Sequence, residues 1–145
     1  MRDGIREEVR NLHELSLVEG IIDSIRETAQ QRGGRVRSFR INVGELAQFD
    51  LRLIRELLKE LSKGTPLEEA KAEVKSERSK VKCLSCGSVW RFDDLLHPMS
   101  EDEKEVVHFL PELMSSYSRC PSCSKSYFEI EEGRSVRIAE VIFDV

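Results

Sequence analysis

The stretch Cys83-Leu84-Ser85-Cys86, "CLSC", decides the organisation of the chain together with "CPSC" at 120–123. These two Cys-x-x-Cys pairs contain all four cysteines of the 145-residue sequence. Each pair places two thiolates on one side of a tight turn, and two facing pairs form the tetrahedral sulfur cage that zinc favours. The spacing therefore predicts a zinc-stapled module, with Gly87 placed where the first turn needs positive φ.

The predicted zinc ion is structural, because four thiolates leave no open position for a substrate. We expect its ligands to be Cys83, Cys86, Cys120 and Cys123. Iron in a rubredoxin-like cage would use the same ligand type and stays open as an alternative. Redox-active disulfides are a second alternative. Two symmetric pairs differ from the single thioredoxin-type pair, and the sequence shows no signal peptide that would direct it to an oxidising compartment.

Regular secondary structure is predicted on both sides of the cysteine module. Apolar residues at steps of three and four predict a helix over 15–31, and alternation in "VRSFRINV" predicts a half-buried strand at 36–43. Asp50 is a predicted N-cap for a second helix that ends before Gly64. The alternating stretch 69–82 predicts a second strand. The apolar tail from Arg134 predicts a third, buried on much of its surface.

The tail strand needs a sheet to join, and the only evident sheet lies upstream of the cysteines. We therefore predict an α+β fold with a small sheet, two helices packed on one face, and an inserted zinc module with two Cys-x-x-Cys knuckles. The predicted domains are 12–80 together with 134–145, and the zinc module at 81–133. A loop or short helix must fill the gap between the cysteine pairs, and residues 1–11 form an N-terminal extension.

Composition and missing motifs exclude several functional classes. The net charge of −4 does not favour a nucleic-acid partner. No apolar run is long enough to span a membrane, so we expect a cytoplasmic protein. The sequence has no Walker-type phosphate loop and no nucleophile elbow, so we expect that it is not an enzyme.

The ordered set "HELSLVEGIIDSI" at 13–25, "INVGEL" at 41–46 and the paired cysteines resembles the hydrogenase nickel incorporation proteins, the HypA-type nickel metallochaperones. The resemblance runs from Leu12 to Val145. It implies an α/β nickel-binding domain, a structural Zn2+ on the four cysteines, and Ni2+ as the transported ion. It also implies delivery during [NiFe]-hydrogenase maturation, with a nickel-insertion GTPase or related ATPase and the hydrogenase large subunit as partners. "HFLPE" at 108–112 resembles the archaeal branch, where its histidine joins the nickel site, so the resemblance nominates His108.

Members of that family usually begin Met-His-Glu, which gives a terminal amine, a backbone nitrogen and an imidazole for square-planar Ni(II). The matching residues here are Leu12, His13 and Glu14, but eleven residues precede Leu12. One hypothesis is that translation starts at a codon that otherwise encodes leucine, so that residue 12 is the initiator methionine and the preceding residues are not translated. The other is a genuine extension. Its apolar stripe points away from that of the following helix, which predicts a separate amphipathic turn or an unstructured leader.

Alternatives to the nickel chaperone stay open at this point. A zinc-ribbon-like module that binds nucleic acid or a transcription assembly would also carry paired knuckles, and "GGRVRSFR" at 33–40 is the basic patch that it would use. Cysteine redox chemistry is a third possibility. We expect His97 to be a surface residue and Glu45 to bind a strand-end backbone group. The chain is expected to be a monomer or a homodimer.

Overall fold

The computed structural model describes the backbone of residues 2–144 and the side chains of residues 13–144. The chain folds into two compact units, and the polypeptide passes from one to the other more than once. The first unit comprises Met1–Val43, Phe49–Ser76 and Arg137–Val145, and the second comprises Gly44–Gln48 and Glu77–Val136.

The first unit is a three-stranded sheet with two helices. Its elements in chain order are α1 (Arg2–Arg32), β1 (Arg35–Gly44), α2 (Leu51–Leu61), β2 (Lys71–Glu77) and β6 (Val136–Asp144), and the strand order is β2-β1-β6. Helices α1 and α2 pack against each other. The buried residues follow the predicted periods, with Val18, Ile22, Ile25 and Ala29 on α1 and Phe39, Ile41 and Val43 on β1.

Helix α2 begins where the sequence predicts. The side chain of Asp50 accepts hydrogen bonds from the backbone N–H groups of Arg52 and Leu53, at 3.0 and 3.2 Å. These are two of the donors that a helix N-terminus leaves without partners, so Asp50 is the N-cap. Ile54 and Leu58 are buried on the side of the helix that faces the core. The predicted α+β fold with an inserted cysteine module is thus confirmed.

The leader does not form a separate turn and is not unstructured, so that expectation is wrong. Helix α1 is continuous from Arg2 through residue 11 to Arg32. The segment is rich in arginine and glutamate, which favour helix, and it contains no proline. A change in the direction of an apolar stripe alters which side of a helix is buried, but it does not interrupt helical hydrogen bonding.

The C-terminal strand is less buried than predicted. β6 lies at the edge of the sheet, and none of its described residues is fully buried. The side chains of Ile138 and Ile142 are 38% and 41% exposed. An apolar, β-branched sequence fits an edge strand as well as a central one, because strand preference reflects packing on a half-buried surface.

The stretch 69–82 forms two strands in two sheets rather than one continuous strand. β2 ends at Glu77 in the first unit, and β3 (Lys80–Cys83) starts the sheet of the second unit. That sheet has the order β4-β3-β5, with β4 at Val89–Arg91 and β5 at Phe128–Glu132, and both pairings are antiparallel. The break falls at Arg78 and Ser79, between the two strands.

The region between the cysteine pairs contains short helices, as predicted. They are α3 (Phe92–Leu96), α4 (Glu101–Phe109), a 3-10 turn at Pro111–Leu113 and α5 (Met114–Tyr117). One buried apolar cluster joins these helices to Val81 of β3, and it includes Phe92, Leu95, Val107 and Met114. In the part of the chain that the structure describes, no helix combines the length and apolar character that a membrane span requires.

The "GEL" segment, residues 44–46, begins at the last residue of β1 and belongs to the second unit, whereas the predicted domains place it in the first. Its backbone forms hydrogen bonds with two other parts of the chain, at Glu77 and Ser135. The N–H of Gly44 donates to the carbonyl of Ser135 at 2.9 Å, and that of Glu45 donates to the carbonyl of Glu77 at 2.8 Å. Gly44 lies so close to the backbone of residues 133 and 134 that a Cβ atom would not fit. The Glu45 carboxylate accepts the backbone N–H of Ser79 at 2.8 Å, as expected for a residue that binds a strand-end backbone group.

Candidate metal centre

The four cysteines converge in the second unit, and their sulfur atoms all lie within 4.8 Å of one another. Sγ of Cys83 is 3.6 Å from that of Cys123, and Sγ of Cys86 is 3.6 Å from that of Cys120. A tetrahedron with zinc–sulfur bonds of about 2.3 Å has edges of about 3.8 Å. All four are free thiols rather than disulfides. The sulfur positions fit one tetrahedral metal ion.

Two turns with the same hydrogen-bond pattern hold the sulfurs in place. In the first, the N–H of Gly87 donates to the carbonyl of Cys83, and the N–H of Cys83 donates to the carbonyl of Ser88, both at 2.8 Å. In the second, Ser124 and Cys120 repeat these two bonds at 2.8 Å, with the carbonyl of Lys125 as the second acceptor. Gly87 has φ of 78°, as predicted, and Ser124 has φ of 64°. The matched turns present two pairs of sulfurs to a common centre.

The surroundings of the thiols give them different pKa values. Burial would raise the pKa of Cys120, but hydrogen bonds from the backbone of Cys123 and Ser122 and from nearby thiols hold it at about 6. The backbone N–H of Lys125 would lower the pKa of Cys123, but burial and the surrounding sulfurs raise it to about 11. Close sulfurs resist sharing several negative charges. A cation is therefore needed to keep four thiolates together.

Ser88 contacts the cysteine cluster, and no sequence motif indicates this contact. Its hydroxyl lies 3.2 Å from Sγ of Cys86, the exposed member of the cysteine cluster. The Ser88 side chain and backbone N–H lower the pKa of Cys86. Such partners orient a metal ligand and disperse its charge.

The predicted nickel residues His13 and Glu14 lie on α1 in the first unit, and the side chain of Leu12 is outside the described residues. His13 is exposed and Glu14 is buried, at 2% exposure. Oε1 of Glu14 accepts the backbone N–H of Asp50 at 3.1 Å, so the carboxylate lies at the N-terminus of α2, where negative charge is favoured. Among residues 13–144, Oε2 of Glu14 has no hydrogen-bond partner.

His108 lies near the end of α4 in the second unit and is exposed. Its ring makes an edge contact with Phe92, with ring centres 5.2 Å apart. The side-chain amide of Gln48 donates to the carbonyl of His108 at 2.8 Å, which fixes the backbone at this position. His97 is an exposed residue at the C-terminal end of α3, where the sequence predicted a surface histidine.

The arginines of "GGRVRSFR" and the preceding Arg32 each contact a neighbouring side chain within the first unit. Arg32 lies over the ring of Phe143 at 5.0 Å. The other three arginines pair with carboxylates at 3.3–3.9 Å: Arg35 with Glu69, Arg37 with Asp144, and Arg40 with Glu140. The three ion pairs are largely exposed to solvent, where such pairs contribute little to stability.

The chain is similar to one family of known proteins along most of its length. Residues 12–143 match the family described as "Hydrogenase/urease nickel incorporation, metallochaperone, hypA". The chain is 35% identical to the hydrogenase maturation factor HypA of Thermococcus sibiricus over 131 residues, covering 90% of this chain and 95% of that protein. It is 32% identical to HypA of Pyrococcus horikoshii, covering 90% and 94% of the two chains.

Solved structures share the fold at lower sequence identity. The solution structure of the Ni metallochaperone HypA from Helicobacter pylori aligns with a TM-score of 0.56 and 17% identity, covering 90% of this chain and 96% of that one. Another solution structure of a HypA protein aligns with a TM-score of 0.63 and 18% identity, covering 91% and 96%. The match of the family across residues 12–143, with the four-cysteine centre inside it, shows that this chain belongs to the HypA family of nickel-incorporation metallochaperones.

Proposed function

We propose that this protein binds Ni(II) and delivers it during maturation of [NiFe]-hydrogenase, and that it is not itself an enzyme. The observation that carries the proposal is the family match over residues 12–143, which begins at the residue before His13. The related proteins from Thermococcus sibiricus and Pyrococcus horikoshii are named as hydrogenase maturation factors. Partners of the required kind are a nickel-insertion GTPase or related ATPase and the hydrogenase large subunit, in the cytoplasm.

Zinc is the ion that we assign to Cys83, Cys86, Cys120 and Cys123. The sulfur separations of 3.6 Å suit its bond length, and a site closed by four thiolates has no position for substrate. Its contribution would be to stabilise the second unit, whose apolar core is small. One zinc per chain, with thiols that react only after a chelator is added, is the expected result; a coloured iron site would contradict the assignment.

For nickel, we assign the imidazole of His13 and backbone nitrogens beside it. A backbone nitrogen must lose its proton to bind the metal, and it cannot do so while its N–H donates a hydrogen bond within a helix. Residues 12–14 lie inside α1, which starts at Arg2, so the fused chelate requires either a free amine at residue 12 or an unwound preceding turn. Because its carboxylate is buried against Asp50, Glu14 would serve by holding the start of the site to α2.

His108 is assigned as a further nickel ligand on the basis of its family context, and its exposed imidazole is available for such a role. His97 provides a matched control, because it is an exposed histidine in the same unit but has no corresponding family motif. His108→Ala should weaken Ni(II) binding, and His97→Ala should leave it unchanged.

The decisive experiment titrates Ni(II) into zinc-loaded protein in two forms: the full chain, and a chain that begins with Met in place of Leu12. We expect the shorter form to bind Ni(II) at least tenfold more tightly, as a diamagnetic square-planar complex with the absorption spectrum of that geometry. His13→Ala should abolish that spectrum in the shorter form.

If His13→Ala binds Ni(II) as well as the parent protein in both forms, the nickel assignment is wrong. Delivery is tested separately, by following transfer of nickel to an immature hydrogenase large subunit in the presence of the nucleotidase. Failure of transfer from a protein that still binds nickel would refute the delivery step alone.

A further inference from the structure

An apolar ridge projects from the second unit at the end of α4. Its three residues are Val106, Phe109 and Leu110, with exposed fractions of 38%, 70% and 47%. Val106 and Phe109 are three positions apart and lie on the same side of α4. Leu110 is the C-cap, and its N–H donates to the carbonyl of Val106 at 2.7 Å, so it directly follows this apolar side. Val107, between them in sequence, is fully buried in the core and shows that a different side of α4 packs against the rest of the unit.

The ridge is rigidly supported. Ser100 and Glu103 form a reciprocal capping box at the start of α4, with bonds of 3.2 and 3.0 Å. At the other end, the side-chain amide of Gln48 donates to the carbonyl of His108 at 2.8 Å. A fixed helix with an exposed phenylalanine has the properties of a recognition surface, since aromatic residues dominate the binding energy of protein interfaces.

Negative charge borders the ridge. Residues 93–112 contain seven carboxylates and one lysine. Lys104 pairs with Glu101, and Glu103 is used in the cap. Asp102 and Glu105 are exposed and lie one turn before Val106 and Phe109 respectively. Neither forms an ion pair with another residue of 13–144, since the nearby Lys104 pairs with Glu101.

We propose that this ridge binds a cationic amphipathic helix of a partner protein, with an apolar stripe against Phe109 and Lys or Arg side chains facing Asp102 and Glu105. The complementary charges would speed association and make it dependent on salt. Helices of this type dock through apolar anchors three and four residues apart, which matches the spacing of the ridge. The inference does not depend on nickel binding.

The test uses the full-length, zinc-loaded protein and a fluorescent helical peptide of about 14 residues, four turns long, with leucines on one side and lysines on the other. A peptide with the same composition but with leucines spread around the helix is the first control, and one with glutamate in place of lysine is the second. We expect only the amphipathic leucine–lysine peptide to bind. Its addition should change NMR shifts of the protein mainly at residues 102–110, and its affinity should fall as the salt concentration increases.

Protein variants separate the apolar and charged contributions. Phe109→Ser should weaken binding at least tenfold, and the double change Asp102→Lys with Glu105→Lys should slow association and remove most of the salt dependence. Tyr127→Ser is the matched control, because Tyr127 is an exposed aromatic residue of the same unit, at 63%, outside the acidic segment. It should leave binding unchanged.

The proposal is overturned if Phe109→Ser and Tyr127→Ser weaken binding equally, or if the two control peptides bind as well as the amphipathic one. A concentration-dependent dimer that Phe109→Ser dissociates would show that the ridge binds a second copy of the chain instead. Nickel titration of Phe109→Ser keeps the two proposals apart, because its nickel affinity should be unchanged.

Discussion

Replacing Glu45 with methionine should destabilise the second unit by about 2 kcal/mol, whereas replacing it with glutamine should cost less than about 1 kcal/mol. Oε1 of Glu45 accepts the backbone N–H of Ser79 at 2.8 Å, and Ser79 is fully buried. Loss of the acceptor leaves a buried N–H without a partner, which costs about 1–3 kcal/mol. Glutamine retains an oxygen at the same position.

Trp90 makes this measurement specific to one unit. It is the only tryptophan of the chain and packs against the core of the second unit. Urea unfolding of metal-loaded protein, followed by Trp90 fluorescence, gives the free energy of unfolding of that unit. Hydrogen exchange at the Ser79 amide gives a local measure, and the methionine variant should exchange at least tenfold faster than the glutamine variant.

Glu131→Met is the control, because Glu131 is an exposed carboxylate on neighbouring β5 and its loss should change the free energy of unfolding by less than about 0.5 kcal/mol. Equal losses for Glu45→Met and Glu45→Gln would refute the reasoning, since the effect would then come from the charge rather than from the hydrogen bond. Losses below about 0.5 kcal/mol in both variants would show that Ser79 finds another acceptor, at odds with its complete burial.

Three more perturbations test other parts of the structure. Gly133→Ala should lower the stability measured by thermal unfolding more than Gly64→Ala does. Both glycines have positive φ, but only at Gly133 would a Cβ atom lie 2.7 Å from Cα of Ser79. Equal losses of stability would mean that only the backbone strain of positive φ acts. Asp50→Ala should destabilise the first unit by about 1 kcal/mol, and Asp50→Asn by a few tenths, measured by urea unfolding followed by circular dichroism. Metal affinity of the cysteine centre, measured by chelator competition, should rise at least tenfold per pH unit between about pH 7 and pH 9. The raised pKa of Cys123, about 11, keeps this thiol protonated without metal, and binding must displace that proton; a flat profile would contradict this assignment.

Local patterns predicted the elements whose structure depends on neighbouring residues. The period of α1, the N-cap at Asp50 and the turn at Gly87 follow from sequence spacing because each involves contacts within a few positions. The convergence of the four cysteines was also predictable, because each Cys-x-x-Cys pair is a local geometry and two such pairs can face one metal ion. The role of Glu45 followed from its position at the end of a strand.

Features that depend on distant partners were not predictable. The exposure of Ile138 and Ile142 depends on β6 being at the edge of its sheet, and a strand sequence does not specify its neighbours. The hydrogen bond between Glu14 and the N–H of Asp50 joins residues 36 positions apart, so no short motif identifies it. The continuous α1 shows a different limit, since helix propensity operates even where the apolar stripe changes direction.

The two proposed metal sites place opposite demands on the backbone. At the cysteine centre, backbone N–H groups donate to sulfur, as Ser88 does to Cys86 and Lys125 to Cys123, so the folded turns and the bound metal reinforce each other. At His13 of the full chain, a backbone nitrogen would instead have to lose its proton and leave the hydrogen bonding of α1 to become a ligand. Metal binding would therefore stabilise local structure at the cysteine centre and oppose it at His13 of the full chain. We infer that an ion on the cysteines would be retained for the life of the folded protein, whereas an ion at His13 of the full chain would be exchangeable, as the proposed transfer of nickel requires.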